Sequence, residues 1–182
     1  AGQASSLSGV IGYNGALIAE WPTNRIVRET PVPSTIARRL VTDLKKSSVH
    51  INIYLNDTLY IEEFNEAARN YCRNTAVEPS IANFDELLNH RAANPTKVLI
   101  IGKPEVLNDM AEEYSAGYPE LHVTKSRPHF LEFTASGVNK GNALKELAAP
   151  QIKVIRDGQE KLIASIDLVP GDLMLIAEGV KI

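Results

Sequence analysis

The amino-acid sequence predicts an α+β fold, in which a mostly antiparallel sheet carries helices on one face and an all-β segment follows at the carboxyl end. Three observations support this prediction. Two long segments repeat their apolar residues at helical spacing, other segments alternate in pairs around short turns, and the residues after 150 show no helical period. Strands and helices interleave before that point, which favours helices that cover one face of the sheet.

Two amphipathic helices are predicted with defined ends. Residues 34–46 place apolar side chains at helical spacing and end in lysines, and residues 104–117 begin with a proline and end with a glycine. The apolar positions of the first helix are Ile36, Leu40, Val41 and Leu44. Further helices are predicted at residues 64–75, 84–90 and 139–149.

A β-hairpin is predicted at residues 49–63, because β-branched and aromatic residues alternate on both sides of Asn56 and Asp57. Residues 96–102, TKVLIIG, form a continuous apolar run between a proline and a glycine, which is typical of a buried strand. Other strands are predicted at residues 10–21, 25–30, 121–126 and 129–135.

The carboxyl-terminal residues 150–182 are predicted to be all-β, and residues 1–149 form the preceding α/β domain. Asp157-Gly158 and Pro170-Gly171 are turn signals between β-rich runs. Because a lone hairpin is at best marginally stable in water, we expect these strands to pack on the preceding domain, on another chain or on a missing piece.

Composition excludes several classes of function. The 182 residues, 44% hydrophobic and 23% charged, are typical of a soluble globular protein. A net charge of −3 with scattered lysine and arginine argues against a nucleic-acid partner, and no apolar run approaches the ~18 residues that a membrane span needs. Residues 1–10 lack the charged start and apolar stretch of a secretory signal.

The single cysteine, Cys72, is predicted to be a half-buried helical thiol rather than a nucleophile. One cysteine cannot form an internal disulfide, so we expect a reducing, cytoplasmic location. His122 and His129 occupy alternate-strand positions without partner ligands at metal spacing. The sequence therefore predicts no zinc site.

Element order and motifs together resemble a known enzyme family. The segments NGALI (14–18), INIYLNDTLYIEE (51–63), TKVLIIG (96–102) and SGVNKGNAL (136–144) follow one another as in a cap domain. Residues 11–149 thereby resemble the C2-type cap of Cof-type haloacid dehalogenase-like phosphatases. The resemblance implies an association with enzymes that act on sugar phosphates and related small metabolites.

The same resemblance implies three phosphate-binding residues. Lys140 matches the superfamily's phosphate-binding lysine, Asn14 lies where the chain enters the cap, and Arg127 would face a phosphate in a complete enzyme. A lysine suits this role because its charge neutralises the repulsion between a carboxylate nucleophile and a phosphoryl oxygen. The alternatives are structural: a solvated residue before a helix, a turn signal and a surface arginine, respectively.

The catalytic motifs of that family do not occur in this sequence. The family places its nucleophile in a DxDxT-like motif and further magnesium ligands in a GDxxND-like motif. No two aspartates of this chain form a D-x-D pair; they are Asp43, Asp57, Asp85, Asp109, Asp157, Asp167 and Asp172. We therefore predict no catalytic residue, no metal ligand and no cofactor in this chain, although the parent family uses Mg²⁺.

Residues 150–182 resemble a fragment of the actuator domain of P-type ATPases. VIRDG (154–158), LVPGD (168–172) and EGVKI (178–182) follow that family's order, with Val180 where the family usually carries aspartate. The TGE-type loop, the DKTG motif and the transmembrane helices of those pumps do not occur here. A helix at residues 143–150 suits both families, which favours a chimera.

Three hypotheses follow for function. The first is a non-catalytic cap-like module, engineered or recombined, without a complete active site. The second is a part of a haloacid dehalogenase-like hydrolase of phosphorylated metabolites whose catalytic core lies in another polypeptide. The third is an interaction module, in which the β-rich residues 150–182 add to another chain's sheet or cause self-association.

Overall fold

The computed structural model describes residues 8–21, 23–89, 93–139, 142–143, 151–156, 159–164 and 173–174. The chain divides into two compact units, one of which is Thr30–Val138 and the other Ala1–Glu29 with Asn139–Ile182. The predicted α+β class is confirmed, and the predicted domain boundary at residue 149 stays a prediction. In the described part of the chain, no helix has the length and apolar character needed to traverse a bilayer.

Strands and helices are numbered along the chain. The strands are β1 (Ser8–Gly12), β2 (Leu17–Trp21), β3 (Ile26–Glu29), β4 (His50–Leu55), β5 (Thr58–Ile61), β6 (Pro79–Ile81), β7 (Lys97–Ile101), β8 (Leu121–Arg127), β9 (Phe130–Ala135), β10 (Gln151–Arg156), β11 (Gln159–Ala164) and β12 (Leu173–Met174). The helices are α1 (Ser34–Leu44), α2 (Glu66–Thr75), α3 (Phe84–Leu87) and α4 (Pro104–Gly117).

A six-stranded sheet in the order β6-β5-β4-β7-β9-β8 forms the Thr30–Val138 unit. Every neighbouring pair is antiparallel except β5 and β6. The parallel strand β6 is absent from the sequence prediction. It spans three residues and begins with a proline, so it is too short to show alternation and starts with a residue that disfavours strands.

The β4–β5 hairpin is confirmed at the predicted turn. Asn56 and Asp57 have φ values of 51° and 59°, and Leu55 pairs with Thr58 across the two-residue loop. Positive φ at both central positions is the type I′ geometry, whose twist matches that of the flanking strands. Asn and Asp tolerate this conformation better than other residues with a side chain, which explains why these two residues carry the turn.

One hydrophobic core joins the sheet to the two helices that the sequence predicted best. Leu40 and Leu44 of α1 and Leu107 of α4 are fully buried in the same cluster. The strand residues of that cluster are Ile51, Ile53, Val98, Ile100, Leu121, Leu131 and Phe133. Each buried leucine contributes roughly 2 kcal/mol relative to exposure, so this cluster supplies much of the stability of the unit.

Helix α2 contacts the opposite face of the same sheet. Because side chains alternate along a strand, Tyr54 lies on the face opposite Ile53. The hydroxyl oxygen of Tyr54 lies 2.6 Å from that of Tyr71 in α2, and the rings of Tyr71 and Phe130 meet edge to face at 5.5 Å between centroids. The sequence prediction placed helices on one face, and α2 adds a contact on the second.

The other unit contains two small antiparallel sheets, in the orders β1-β2-β3 and β11-β10-β12. The β-rich character predicted for residues 150–182 is confirmed at β10, β11 and β12. A three-residue 3₁₀ turn at residues 13–15 connects β1 to β2. Of the helix predicted at residues 139–149, Asn142 and Ala143 are helical, whereas Gly158 and the LVPGD segment at 168–172 lie outside the described residues.

Candidate functional site

Of the three residues that the sequence analysis associated with phosphate, Asn14 and Arg127 belong to different units, and the role of each stays a prediction. Asn14 lies in the 3₁₀ turn with a φ of 58°, which agrees with its interpretation as a turn residue. Arg127 is an exposed residue at the end of β8 in the Thr30–Val138 unit. Lys140 lies outside the described residues.

A cleft of about 1030 Å³ lies in the Thr30–Val138 unit, where β4 begins and β7 ends. We call it the strand-end cleft. Its lining includes the polar or aromatic side chains of His50, Tyr71, Lys103, Arg127, His129 and Phe130.

The register of the sheet explains why these residues meet. His50, the first residue of β4, pairs with Ile101, the last residue of β7. Ile101 pairs in turn with Phe130, which opens β9, and Phe130 pairs with Arg127 across the β8–β9 turn. These four paired residues therefore form one row across β4, β7, β9 and β8, which consists of a histidine, an aliphatic chain, an aromatic ring and a guanidinium group.

His50 is the most deeply buried titratable side chain of this row, at 9% exposure. Within the described residues its Nε2 atom has no hydrogen-bond partner. Burial lowers the pKa of the His50 imidazolium, and Asn52 and the Glu63 carboxylate partly oppose this effect. His50 is consequently neutral near pH 7, and its imidazole can donate through one nitrogen and accept through the other.

The charged groups of the strand-end cleft are mostly cationic. Arg127 and Lys103 are exposed, and Glu66 is the one carboxylate among the described residues that line the cleft. The Arg127 guanidinium carbon lies 5.7 Å from the centre of the Phe130 ring, a distance at which a cation is attracted to the ring face. Neither Arg127 nor Lys103 has a carboxylate partner within the part of the chain that the structure describes.

His129 forms two hydrogen-bonding contacts that connect the β8–β9 turn to the residue after β7. Its Nδ1 atom lies 3.1 Å from the carbonyl oxygen of Gly102, and the Gly102 N–H donates to the carbonyl oxygen of His129 at 3.2 Å. A carbonyl only accepts, so Nδ1 carries the proton in this contact. The second ring nitrogen, Nε2, is then left with its lone pair in the neutral form.

Tyr71 and Phe130 form an aromatic wall of the cleft. Their edge-to-face contact and the hydrogen bond between Tyr71 and Tyr54 hold the wall in one arrangement. Burial raises the pKa of the Tyr71 phenol, so that this hydroxyl stays neutral at physiological pH. The cleft therefore combines an apolar wall with hydrogen-bonding and cationic groups.

A second cleft of about 510 Å³ lies between α1 and the end of α4, and it is lined by Arg39, Asp43, Lys46 and Tyr118 among others. We call it the helix cleft. The Tyr118 hydroxyl donates to Asp43 at 2.5 Å, and Lys46 binds the other oxygen of the same carboxylate at 2.7 Å. Arg39 lies 4.5 Å from the centre of the Tyr118 ring. These polar groups already satisfy one another.

The face of the sheet that contacts α2 carries a buried ion pair that the sequence analysis missed. Lys97 of β7 lies 3.2 Å from Glu132 of β9, and the side chains are 12% and 9% exposed. Asn52 is fully buried nearby on the same face of β4, and its amide atoms have no hydrogen-bond partner among the described residues. The sequence does carry a signal for buried polar groups on this face, because His50 and Asn52 alternate with isoleucine in the apolar run HINIYL.

The described residues do not fit the magnesium ion of the resembled family. No group of three or more His, Cys, Asp or Glu side chains converges within them, whereas Mg²⁺ is held by carboxylates at near-octahedral geometry. Cys72 is half-buried as predicted, and burial raises the pKa of its thiol. Neither observation supplies an attacking group in the described part of the chain.

Comparison with known proteins gives a consistent result. The sequence profile of haloacid dehalogenase-like hydrolases matches residues 3–156. A candidate phosphatase of Streptococcus pyogenes serotype M6 is 28% identical over 150 residues, which are 76% of this chain and 52% of that protein. The chain thus spans about half the length of the curated relative that it matches.

Solved structures show the same fold. A Thermotoga maritima protein aligns with a TM-score of 0.65 at 30% identity, over 74% of this chain and 50% of its own. A sugar phosphatase of subclass IIB of the haloacid dehalogenase superfamily aligns with a TM-score of 0.64 at 16% identity, over 76% of this chain and 51% of its own. The second likeness is one of fold alone.

Proposed function

Because the chain belongs to the haloacid dehalogenase-like hydrolase family, we propose that it is the substrate-covering part of a hydrolase of small phosphorylated metabolites. The observation that carries this proposal is the strand-end cleft, which is lined by a buried histidine, an aromatic wall and two cations that have no carboxylate partner in the described part of the chain. Such a cleft suits a small anionic molecule with a ring. It does not supply the chemistry of phosphoryl transfer.

The proposal follows the second hypothesis of the sequence analysis and includes part of the first. The sugar phosphatase with the same fold supports the substrate class. In this proposal the Thr30–Val138 unit is a C2-type cap, and Lys140 is the residue that contacts the reacting phosphoryl group. The attacking carboxylate and the metal ligands come from a polypeptide that carries the DxDxT-like and GDxxND-like motifs.

The interpretation of residues 150–182 as an actuator fragment stays a prediction, as does a chimeric origin. The match to haloacid dehalogenase-like hydrolases runs through residue 156 and therefore past the predicted junction at residue 150. A relative that carries residues 140–182 as one continuous segment would remove the need for a junction. Cytoplasmic location and the absence of a nucleic-acid partner also stay predictions.

The proposal is tested by phosphate release from a panel of sugar phosphates with Mg²⁺. We expect no turnover by the 182-residue chain alone, because its own sequence supplies no D-x-D pair. We expect turnover when the chain forms a complex, verified by size-exclusion chromatography, with a polypeptide that carries the two acidic motifs. Lys140→Ala should abolish that turnover.

Two results would contradict the proposal. A verified complex that hydrolyses none of the phosphorylated metabolites would exclude the hydrolase function. Turnover by the chain alone that disappears in the Lys140→Ala variant would show that the chain has its own active site. The Arg38→Gln variant, which alters an exposed arginine of α1 outside the strand-end cleft, is the matched control.

A further inference from the structure

We propose that the strand-end cleft is a subsite for a negatively charged group on the part of the substrate that is not cleaved. Arg127 and Lys103 would supply the charge, and His50 would supply a buried hydrogen bond. The preferred substrates would then carry two anionic groups, as sugar bisphosphates and phosphorylated sugar acids do. This inference rests on the proposed function for the identity of the second, reacting group.

The first support for this subsite is the charge of the cleft. Lys103 immediately precedes α4 and Arg127 ends β8, yet both line one cleft with a single carboxylate, Glu66, among its described residues. Two cations that line one cleft, with no carboxylate partner among the described residues, make the cleft electropositive. A bound anion would neutralise that charge and accept charge-assisted hydrogen bonds, which are shorter and stronger than neutral ones.

The buried imidazole of His50 supports the subsite independently of charge. His50 is 9% exposed and lines the cleft with an Nε2 atom that has no partner in the described residues. A buried polar atom costs free energy unless it is hydrogen-bonded. A ligand oxygen in the cleft would satisfy this atom, and a neutral imidazole serves equally well for a phosphate oxygen or a sugar hydroxyl.

The lining also limits what the ligand can be. Tyr71, Phe130 and Ile101 give the cleft an apolar wall, while Asn65, Asn70 and Asn74 of the α2 region add amides. Aromatic rings bind the apolar face of a sugar ring, and amides bind its hydroxyl groups. A small hydroxylated ring compound with an anionic substituent matches this combination.

The bound anionic group is the retained one because the described lining of the cleft does not supply the groups that cleave a phosphate. Glu66 is the single carboxylate among its described residues, and no cluster of three metal-ligating side chains occurs in the described part of the chain. Phosphoryl transfer in this family needs a carboxylate nucleophile and a metal ion beside the same phosphate. A phosphate in the strand-end cleft would therefore remain intact.

Binding by the full chain alone is the first arm of the test. Calorimetric titration should detect glucose 6-phosphate and 6-phosphogluconate but not glucose, since only the first two carry an anionic group. Arg127→Gln should weaken binding about tenfold, the loss expected for one charge-assisted contact, and Arg38→Gln should leave it unchanged. The inference would be overturned if glucose bound as tightly as glucose 6-phosphate. It would also be overturned if the Arg127→Gln and Arg38→Gln variants bound glucose 6-phosphate with the same affinity.

His50→Gln tests the buried hydrogen bond and should also weaken binding of glucose 6-phosphate. If that variant fails to fold, the exposed residues Lys103 and Arg127 still decide the question, because their substitution by glutamine alters surface groups. Lys46→Gln, in the helix cleft, is the control for Lys103→Gln. If Lys46→Gln weakens binding of glucose 6-phosphate as much as Lys103→Gln does, the assignment of the anion site to the strand-end cleft is wrong.

The second arm uses the complex with the polypeptide that carries the acidic motifs. Arg127→Gln should lower kcat/KM for fructose 1,6-bisphosphate about tenfold and leave kcat/KM for glucose 6-phosphate unchanged, because the single phosphate of glucose 6-phosphate is the reacting group in its productive complex and binding of that phosphate in the strand-end cleft does not alter kcat/KM. Equal effects on both substrates would overturn the retained-group assignment. If the chain binds glucose 6-phosphate but the complex turns over no substrate, the proposed hydrolase function is excluded. The assignment of the bound anion as the retained group of a substrate is then excluded as well, whereas the anion-binding site itself is supported.

Discussion

The two clefts of the Thr30–Val138 unit use similar polar residues in opposite ways. In the helix cleft, Asp43 accepts hydrogen bonds from Tyr118 and Lys46, and Arg39 stacks on the Tyr118 ring and approaches Glu120 at 3.3 Å. In the strand-end cleft, Nε2 of His50 has no partner among the described residues.

The difference separates groups that hold the fold from groups that are available to a ligand. A polar group that is already paired contributes to folding and gains little from a ligand. An unpaired buried group costs folding free energy, and a ligand that pairs it recovers that cost. Substitutions in the helix cleft should therefore lower stability, and those in the strand-end cleft should lower binding.

The largest effect on stability is expected from the hydrophobic core of the unit that contains both clefts. Leu107 of α4 is fully buried, and Leu107→Ala should lower the free energy of unfolding by about 2–5 kcal/mol through lost burial and a cavity. Urea unfolding measures this value. Val106→Ala, at a neighbouring position with 42% exposure, is the control, and a comparable loss in both variants would contradict the core assignment.

Tyr118→Phe tests the helix cleft and should have the next largest effect. The phenol is 5% exposed and donates to Asp43, so its removal should cost about 1 kcal/mol of unfolding free energy. Binding of glucose 6-phosphate at the strand-end cleft should not change. A stability equal to that of the wild type, or a loss of ligand binding, would break the distinction between the two clefts.

The pH dependence of stability tests the burial of His50. Its pKa is lowered from the ordinary value of 6.5 by burial, so the unfolded chain binds a proton that the folded chain resists. Stability should be complete above pH 6.5 and should fall as the pH decreases below that value toward the folded-state pKa.

His50→Gln should remove this part of the pH dependence between pH 7 and 5, as followed by thermal unfolding. His122→Gln is the control, because His122 is an exposed residue of β8. An unchanged slope in the His50→Gln variant would show that this imidazole titrates as it does in water. The His50 imidazole would then be exposed to water, which contradicts its assignment as the buried hydrogen-bonding group of the strand-end cleft.

Arg127→Gln should have the smallest effect on stability. The side chain is exposed, and its described contact is the stacking on Phe130, so the unfolding free energy should change by no more than about 0.5 kcal/mol. The same variant is expected to weaken anion binding about tenfold. A large loss of stability measured by urea unfolding would instead make Arg127 a structural residue.

The fold was largely predictable because its main elements have local signals. The helical spacing from Ile36 to Leu44, the proline at the start of α4 and the Asn56-Asp57 turn each appear within a short window of sequence. Strand β6 has no such signal, and its pairing with β5 depends on the parallel contact of Leu59 with Pro79. Short parallel pairs form through tertiary structure rather than local preference.

The strand-end cleft was less predictable because distant residues form it. Arg127 was predicted from a family resemblance, whereas His50, Ile101 and Phe130 come together only through the register of three strands. The sequence shows a histidine at the start of an apolar run, and it does not show whether the imidazole is buried or paired. Burial and pairing follow from the packing of the whole sheet.

The most direct test of the central claim, that His50 in the strand-end cleft is available to a ligand, is the NMR signal of the His50 side chain during titration with glucose 6-phosphate. The chain has four histidines, so their ring nitrogen signals can be resolved and assigned. We predict that the Nε2 signal of His50 shifts on binding, whereas the signals of His122, which does not line the cleft, stay in place. A His50 signal that does not move while the ligand binds would contradict the account.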